Sequence, residues 1–366
     1  MPPKPIPIVA ACVILLFMAF PELSAALSVT DMSGRTVEVP ENPERIVCLG
    51  PGTLRLIVYL QAQDKVVGVE RMEKKFSNGR PYWLAHPELH ELPVCGPGGP
   101  ASINQKPNME LLIKLAPEVI FITYMKPGLA REVQATLDIP VVVLSYGTFA
   151  NFDETVFKAL KTAGKVLHRG NRADVVIRYI QSTRMDLRKR TKGAPENTKP
   201  QAYIGGIGYR GAHGIESTEQ AYAPFDWVRA KNAAKELDVK DKSHLFISKE
   251  VLLSMDPDII FIDGGGLPLV IQAYQDKPSI YNGLNAFKKK RVFLLHPFNW
   301  YTTNIGTVMV DAYAVGKILY SDRFQDINLA EKADAIYNFL VGEPVYLKMK
   351  DYYGPVGSRV SFIEEE

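Results

Sequence analysis

The chain has little cysteine: three residues in 366, Cys12, Cys48 and Cys95. A dense disulfide framework is excluded, so the core must be built from apolar side chains. Histidine is scarce too, with six residues and no pair spaced i, i+4 on a predicted helix. A bare zinc or manganese ion needs several imidazoles and carboxylates converging, so no metal site is expected. Charge of one sign is also missing. The 43 basic residues nearly cancel the 40 acidic ones, leaving a net +3 and no ground for a nucleic-acid partner. Gly50-Pro51-Gly52 lacks the third glycine of a dinucleotide fingerprint, and Gly264-Gly265-Gly266 runs into Leu-Pro, a weak phosphate loop. No nucleophile stands with a base in a recognisable triad pattern, so catalytic residues and a cofactor are not expected.

Residues 1–26 differ from the rest. One Lys (Lys4) precedes an apolar run from Ile6 to Phe20, then Pro21, then Ser24-Ala25-Ala26 with small residues at the −3 and −1 positions. This pattern is that of a cleaved export signal. The run is shorter than the roughly 20 residues of a membrane span, and no later segment is long enough for one. Val9-Ala10-Ala11-Cys12 fits a lipoprotein box only loosely, because the apolar run continues past Cys12. In an oxidising compartment Cys48 and Cys95, each at the end of a short predicted strand, are either buried thiols or a disulfide.

After the leader, short apolar runs alternate with helical patterns. The runs are 45–49, 65–69, 92–95, 119–122, 141–144, 202–205, 258–262 and 291–295. Unbroken apolar runs suit strands covered on both faces of a parallel sheet, and the alternation implies βαβ units. Helices are predicted at 53–60 with Thr53 as N-cap, at 108–115, around 221–237, at 305–320 and at 329–340. Residues 153–192 carry no strand signal and no proline, and 172–192 reads as one helix of roughly 30 Å, long enough to bridge two lobes. An internal repeat supports two similar lobes: NMELLIKLAPEVIFIT at 108–123 and SKEVLLSMDPDIIFID at 248–263. In both, an acidic residue opens a helix, a proline breaks it, and a buried strand follows. The expected organisation is a leader at 1–26, an α/β lobe at 27–150, a helical connector at 151–198, a second α/β lobe with closing helices at 199–341, and an unassigned tail at 342–366.

With these units in place, the chain resembles the periplasmic binding proteins for iron–siderophore, haem and cobalamin. The resemblance runs from Val29-Thr30-Asp31-Met32-Ser33-Gly34-Arg35 and Pro43-Glu44-Arg45-Ile46-Val47, through both helix–Pro–strand units, to Ala314-Val315-Gly316-Lys317-Ile318-Leu319-Tyr320. It implies two Rossmann-like lobes with parallel sheets joined by a long backbone helix, with ligand in the cleft between them. It also implies a monomer outside the cytoplasm that delivers a small molecule to an ABC permease dimer with its cytoplasmic ATPase. A metal chelate is the expected cargo, ferric siderophore first and haem or cobalamin next. Oxyanions, an extracytoplasmic enzyme of the same fold and a sensory module are the competing readings.

The resemblance carries the permease-docking role to Glu110 and Glu250, one on each lobe. The plainer alternative is a carboxylate favouring the positive end of a helix. Ligands of open α/β sheets sit outside the carboxyl ends of the strands. The loops there hold Tyr124 in the first lobe, with Arg55 and Tyr82 nearby, and Tyr209, Arg210, His213, His296 and Trp300 in the second. Tyr and Trp offer flat faces with a polar tip, and Arg offers a fork of donors to anionic oxygens. A solvated turn at 209–214 and a structural role for Trp300 are the plain alternatives.

Overall fold

The computed structural model describes residues 26–75, 78–148, 152–237 and 244–363, so the export-signal expectation for 1–26 lies outside the described residues apart from Ala26. The strands are β1 (Ala26–Thr30), β2 (Thr36–Pro40), β3 (Ile46–Leu49), β4 (Val66–Glu70), β5 (Val94–Gly96), β6 (Val119–Thr123) and β7 (Val141–Leu144) in the first half. The second half holds β8 (Gln201–Gly205), β9 (Ser217–Glu219), β10 (Lys231–Asn232), β11 (His244–Phe246), β12 (Ile259–Asp263) and β13 (Val292–Leu295). Each lobe has one parallel sheet, in the order β5-β4-β3-β6-β7 in the N-lobe and β10-β8-β12-β13 in the C-lobe. Every residue of β3, β6, β7 and β12 is buried, which is why these strands read as unbroken apolar runs.

The two copies of the repeat are built alike. Asn108 caps the helix Met109–Leu115 by accepting from Leu111 N, and Ser248 caps Lys249–Met255 by accepting from Val251 N. Each helix ends on a left-handed residue, Ala116 or Asp256, directly before the proline. The antiparallel hairpin β1-β2 covers the outer edge of β7. Asp31 and Arg35 form a buried ion pair in its turn, Asp31 Oδ2 accepts from Val143 N and Met32 N donates to Val143 O. An otherwise open sheet edge is thereby closed.

The helix Gly170–Arg190 joins the lobes. At 1.5 Å per residue its 21 residues span about 31 Å. It packs on the helix Thr155–Val166 below the N-lobe and on Ile305–Leu319 and Ala223–Trp227 of the C-lobe. Arg172 donates to Tyr59 O and Phe339 O, and Arg190 holds both Asp326 oxygens at 2.6 and 2.7 Å. One apolar core therefore runs from Phe121 in the N-lobe through Ile180 and Leu187 to Phe261 in the C-lobe.

Two local expectations are corrected, and the unassigned tail gains a structure. Thr53 is the first helical residue rather than the N-cap, because Gly52 takes the left-handed cap position and the Thr53 hydroxyl donates to Leu49 O. The stretch 221–237 is not one helix. It breaks at left-handed Arg229 into the helix Ala223–Trp227, the edge strand β10 and a 3-10 turn capped by Asn232. In the tail a helix Tyr346–Tyr353 packs on Leu329–Val341, and Arg359 bridges to Phe293. Ile180, fully buried in the lobe-joining helix, gives a test of the shared core. Ile180→Ala is expected to cost about 2–5 kcal/mol in urea unfolding, with both lobes unfolding earlier.

Candidate functional site at the facing strand ends

The order of each sheet fixes where a ligand can enter. In the N-lobe the chain moves from β3 outward to β4 and β5, then returns to the other side with β6 and β7. The reversal therefore falls between β3 and β6, at Gly50 and Thr123. In the C-lobe it falls between β8 and β12, at Gly206 and Asp263. Open α/β sheets bind ligands in the crevice at such switch points, outside the carboxyl ends of the strands. Both crevices are narrow. A Cβ on Gly50 would come within 2.7 Å of Thr123 Oγ1, and one on Gly206 within 3.3 Å of Asp263 O.

Each lobe ends a buried strand on a carboxylate at this place. Glu70 closes β4, and burial pushes its carboxyl up to about 7 against hydrogen bonds from Tyr301 and the Gly50 amide. Asp263 closes β12, and burial pushes it up to about 7 against the Gly265 amide. Behind them in the C-lobe lie Glu219 and Asp311, both raised by burial. A cavity of about 40 Å³, room for a few waters, opens beside Glu70, between Gly50, Ser102, Gln105, Lys106 and Thr123. The larger concavity, about 510 Å³, is an open groove on the connector between Lys161 and Asp174, away from the strand ends.

A C-lobe loop, residues 297–304, forms the floor between the crevices. Tyr301 donates its hydroxyl to Glu70 and accepts from Gly99 N at 3.0 Å. Arg55, on the first N-lobe helix, donates to the carbonyls of Thr303 (2.8 Å), Trp300 (2.8 Å) and Tyr301 (3.1 Å). Its guanidinium also lies over the rings of Tyr82 and Tyr146. Tyr124, half-buried, faces Thr302, and burial pushes its phenol up to about 12. Trp300 leans on Gly79 of the N-lobe and donates to the Tyr353 hydroxyl; a Cβ on Gly79 would collide with the indole.

The sequence-predicted residues thus separate into groups. Arg55, Tyr82, Tyr124 and Trp300 converge on the floor. Arg55 and Tyr82 are buried and committed to protein partners, Tyr82 through its hydroxyl to Glu73 at 2.8 Å. For these two the expectation of an open ligand-facing side chain is corrected, because the helix that carries Arg55 is buried on every side. His296 is corrected likewise. It is fully buried, bonded to Gly354 O and flanked by Tyr346 and Tyr353, and burial pulls its imidazole down to about 4. Tyr209, Arg210 and His213 form the C-lobe rim. Tyr209 stacks on His244 at 4.5 Å, His213 Nε2 meets Tyr209 O, and exposed Arg210 lies over Tyr209 with no carboxylate partner among the described residues. An Asn299 hydrogen bond to Gly208 O ties this rim to the floor. Glu110 and Glu250 are exposed, each in the first turn of its repeat helix. Cys48 and Cys95 are free buried thiols.

Sequence reasoning missed Glu70, Tyr301 and Gly79. Glu70 left a readable trace, a charge at the carboxyl end of an apolar strand, and Asp263 left the same one. Tyr301 left none, because its position depends on two consecutive left-handed residues, Tyr301 (φ 52) and Thr302 (φ 62).

Two lobes with facing switch points, a shared core and one joining helix define a substrate-binding protein of the helical-backbone class. The profile described as "Periplasmic binding protein" matches residues 46–297, and the chain belongs to that family, whose members bind solutes for transport rather than catalyse reactions. Among curated proteins it is similar to the molybdate-binding protein MolA of Haemophilus influenzae, 25% identical over 84% of this chain and 89% of the relative. It is also similar to an uncharacterized ABC transporter substrate-binding lipoprotein, YvrC of Bacillus subtilis, 20% identical over 82% of this chain and 87% of the relative. Among solved structures, a periplasmic solute binding protein of Veillonella parvula superposes with a TM-score of 0.72 at 21% identity, covering 93% of this chain and 99% of its own. Molybdate-bound MolA superposes at 0.68 with 22% identity, covering 87% of this chain and 98% of its own. The structural likenesses show the shared fold.

Glu70 provides a pH test of the floor. Its carboxyl in the fold titrates near 7, above the ordinary 4.5. Below pH 4.5 both folded and unfolded chains hold the proton. Between pH 4.5 and 7 only the unfolded chain releases it, so stability falls as pH rises, by on the order of 3 kcal/mol. Glu70→Gln, which keeps an acceptor for Tyr301, is expected to reduce that slope in urea unfolding from pH 4.5 to 8, leaving the part due to Asp263, Glu219 and Asp311. An identical slope in the variant would remove the assignment.

Proposed function

We propose that the chain is the extracytoplasmic substrate-binding component of an ABC importer, and that its cargo presents anionic oxygens around a metal centre. A metal oxyanion and an anionic metal chelate such as a ferric siderophore share that chemistry. Arg210 carries the reading: an exposed guanidinium without a carboxylate partner among the described residues, on a loop at the carboxyl end of β8. A guanidinium fork suits such oxygens, and its weak hydration lowers the cost of gripping them. Similarity to a molybdate-binding relative supports the oxyanion member of the class. The wider resemblance to siderophore-type binding proteins supports the chelate member.

Delivery would use Glu110 and Glu250. They occupy matching first-turn positions on the two repeat helices and are exposed, so two carboxylates are offered by two similar lobes to a two-subunit permease. Charge pairs at such a rim set register and encounter rate more than affinity. Export through the leader at 1–26 places the mature chain where this delivery occurs.

Titration of the mature chain with molybdate, a ferric catecholate siderophore, haem and cobalamin, followed by tryptophan fluorescence, separates the members. Saturable one-to-one binding of molybdate or of the ferric catecholate is expected. Haem or cobalamin alone would remove the anionic-oxygen reading. Arg210→Ala should weaken binding about 10- to 100-fold, as loss of a charge-assisted hydrogen bond does. The double variant Glu110→Ala/Glu250→Ala should keep the dissociation constant and lose stimulation of the importer's ATPase in proteoliposomes. Undiminished stimulation would exclude the docking role.

A further inference from the structure

The floor loop is held from the opposite lobe by more contacts than a connection needs. Arg55 is fully buried, and no carboxylate pairs with it among the described residues. Its charge is compensated by three carbonyls of one C-lobe loop and by two aromatic faces. To aim those carbonyls, Tyr301 and Thr302 both adopt the left-handed conformation, which costs a non-glycine residue energy and persists only where the surroundings impose it. The same loop sends Tyr301 across to Glu70 and to Gly99 N. It also presses Thr302 toward Gly52, where a Cβ would meet Thr302 Cγ2 at 2.6 Å. Trp300, the residue before Tyr301, then rests its ring against Gly79, whose lack of a Cβ is what admits it.

We propose that Arg55 and Tyr301 are positioning residues of an interlobe clasp that presents Trp300 to the ligand cleft and holds the two lobes together. The ligand part of this statement rests on the cleft being the cargo site; the closure part does not. Arg55 is the permanent half of the clasp. Its three acceptors are backbone atoms, and releasing them would strand a buried charge. The Tyr301 contacts are the releasable half. They are one side-chain hydroxyl on one buried acid and one amide, so they can open and re-form while the loop stays anchored. When they open, Gly79 withdraws from the indole, the crevice at Gly50 and Thr123 is uncovered, and ligand enters or leaves.

The full mature chain without ligand tests the closure. Of its three tryptophans, Trp83 and Trp227 are 1% and 2% exposed, so acrylamide quenching reports on half-buried Trp300, and Trp300→Phe defines the background. Tyr301→Phe and Glu70→Leu are each expected to raise the open-to-closed ratio about tenfold, the equivalent of one hydrogen bond to a buried acid, and to raise quenching accordingly. Because both remove the Tyr301–Glu70 contact, the double variant should quench less than the sum of the two single ones. Glu70→Gln, which keeps an acceptor, should remain near the parent. Arg55→Lys, which keeps the charge but reaches fewer carbonyls, should also raise quenching. Additive effects of the two single variants, or quenching unchanged by Tyr301→Phe, would overturn the clasp. Failure of the whole cargo panel alongside a non-additive quenching cycle would remove the cargo reading and leave the clasp standing.

Discussion

A guanidinium buried without a carboxylate must find its acceptors wherever the fold can bring them, and Arg55 finds them in the other lobe. The helix that carries it is buried on every side, wedged between the N-lobe sheet and the closing helix Leu329–Val341. Water cannot reach it, so the charge is tolerable only if carbonyl oxygens are delivered to it. The loop 297–304 delivers three. This one constraint fixes the floor of the cleft, the strained turn at Tyr301 and Thr302, the place of Trp300 and the approach of Gly79.

The joining helix and the floor act together. A continuous apolar core through Ile180 and Leu187 resists wide bending of one lobe against the other. Motion is left to the strand-end side, where the Tyr301 contacts to Glu70 and the Gly99 amide can release while Arg55 stays anchored. That division suits a carrier that must hold a ligand and surrender it: a stiff hinge keeps the two lobes in register.

Four acids are buried in the two lobes, Glu70 in the first and Asp263, Glu219 and Asp311 in the second. Burial raises all four, so the floor holds a proton more readily than ordinary carboxylates do. Neutral acids donate as well as accept, and they do not repel an anion as carboxylates would. Positive charge stands instead at the rim, on exposed Arg210.

Much of the architecture was legible in the residues. Strands buried on both faces announce themselves as unbroken apolar runs, as at Val119–Thr123 and Ile259–Asp263. The duplicated helix–Pro–strand unit marked two lobes because caps, breakers and buried strands are local chemistry. Exposure of Glu110 and Glu250 was what the family resemblance implied, and both are exposed. The floor of the cleft was not legible. Arg55 read as a candidate for the ligand, and only packing by a distant helix buried it and turned it to the loop carbonyls. Tyr301 read as one aromatic among many, because its partners lie 231 and 202 residues away in sequence. Periodicity and capping are written within a few residues, and so the sequence determined the elements and their order. Which lobe supplies the acceptors for a buried charge depends on how those elements close in space, and only the tertiary structure decided that.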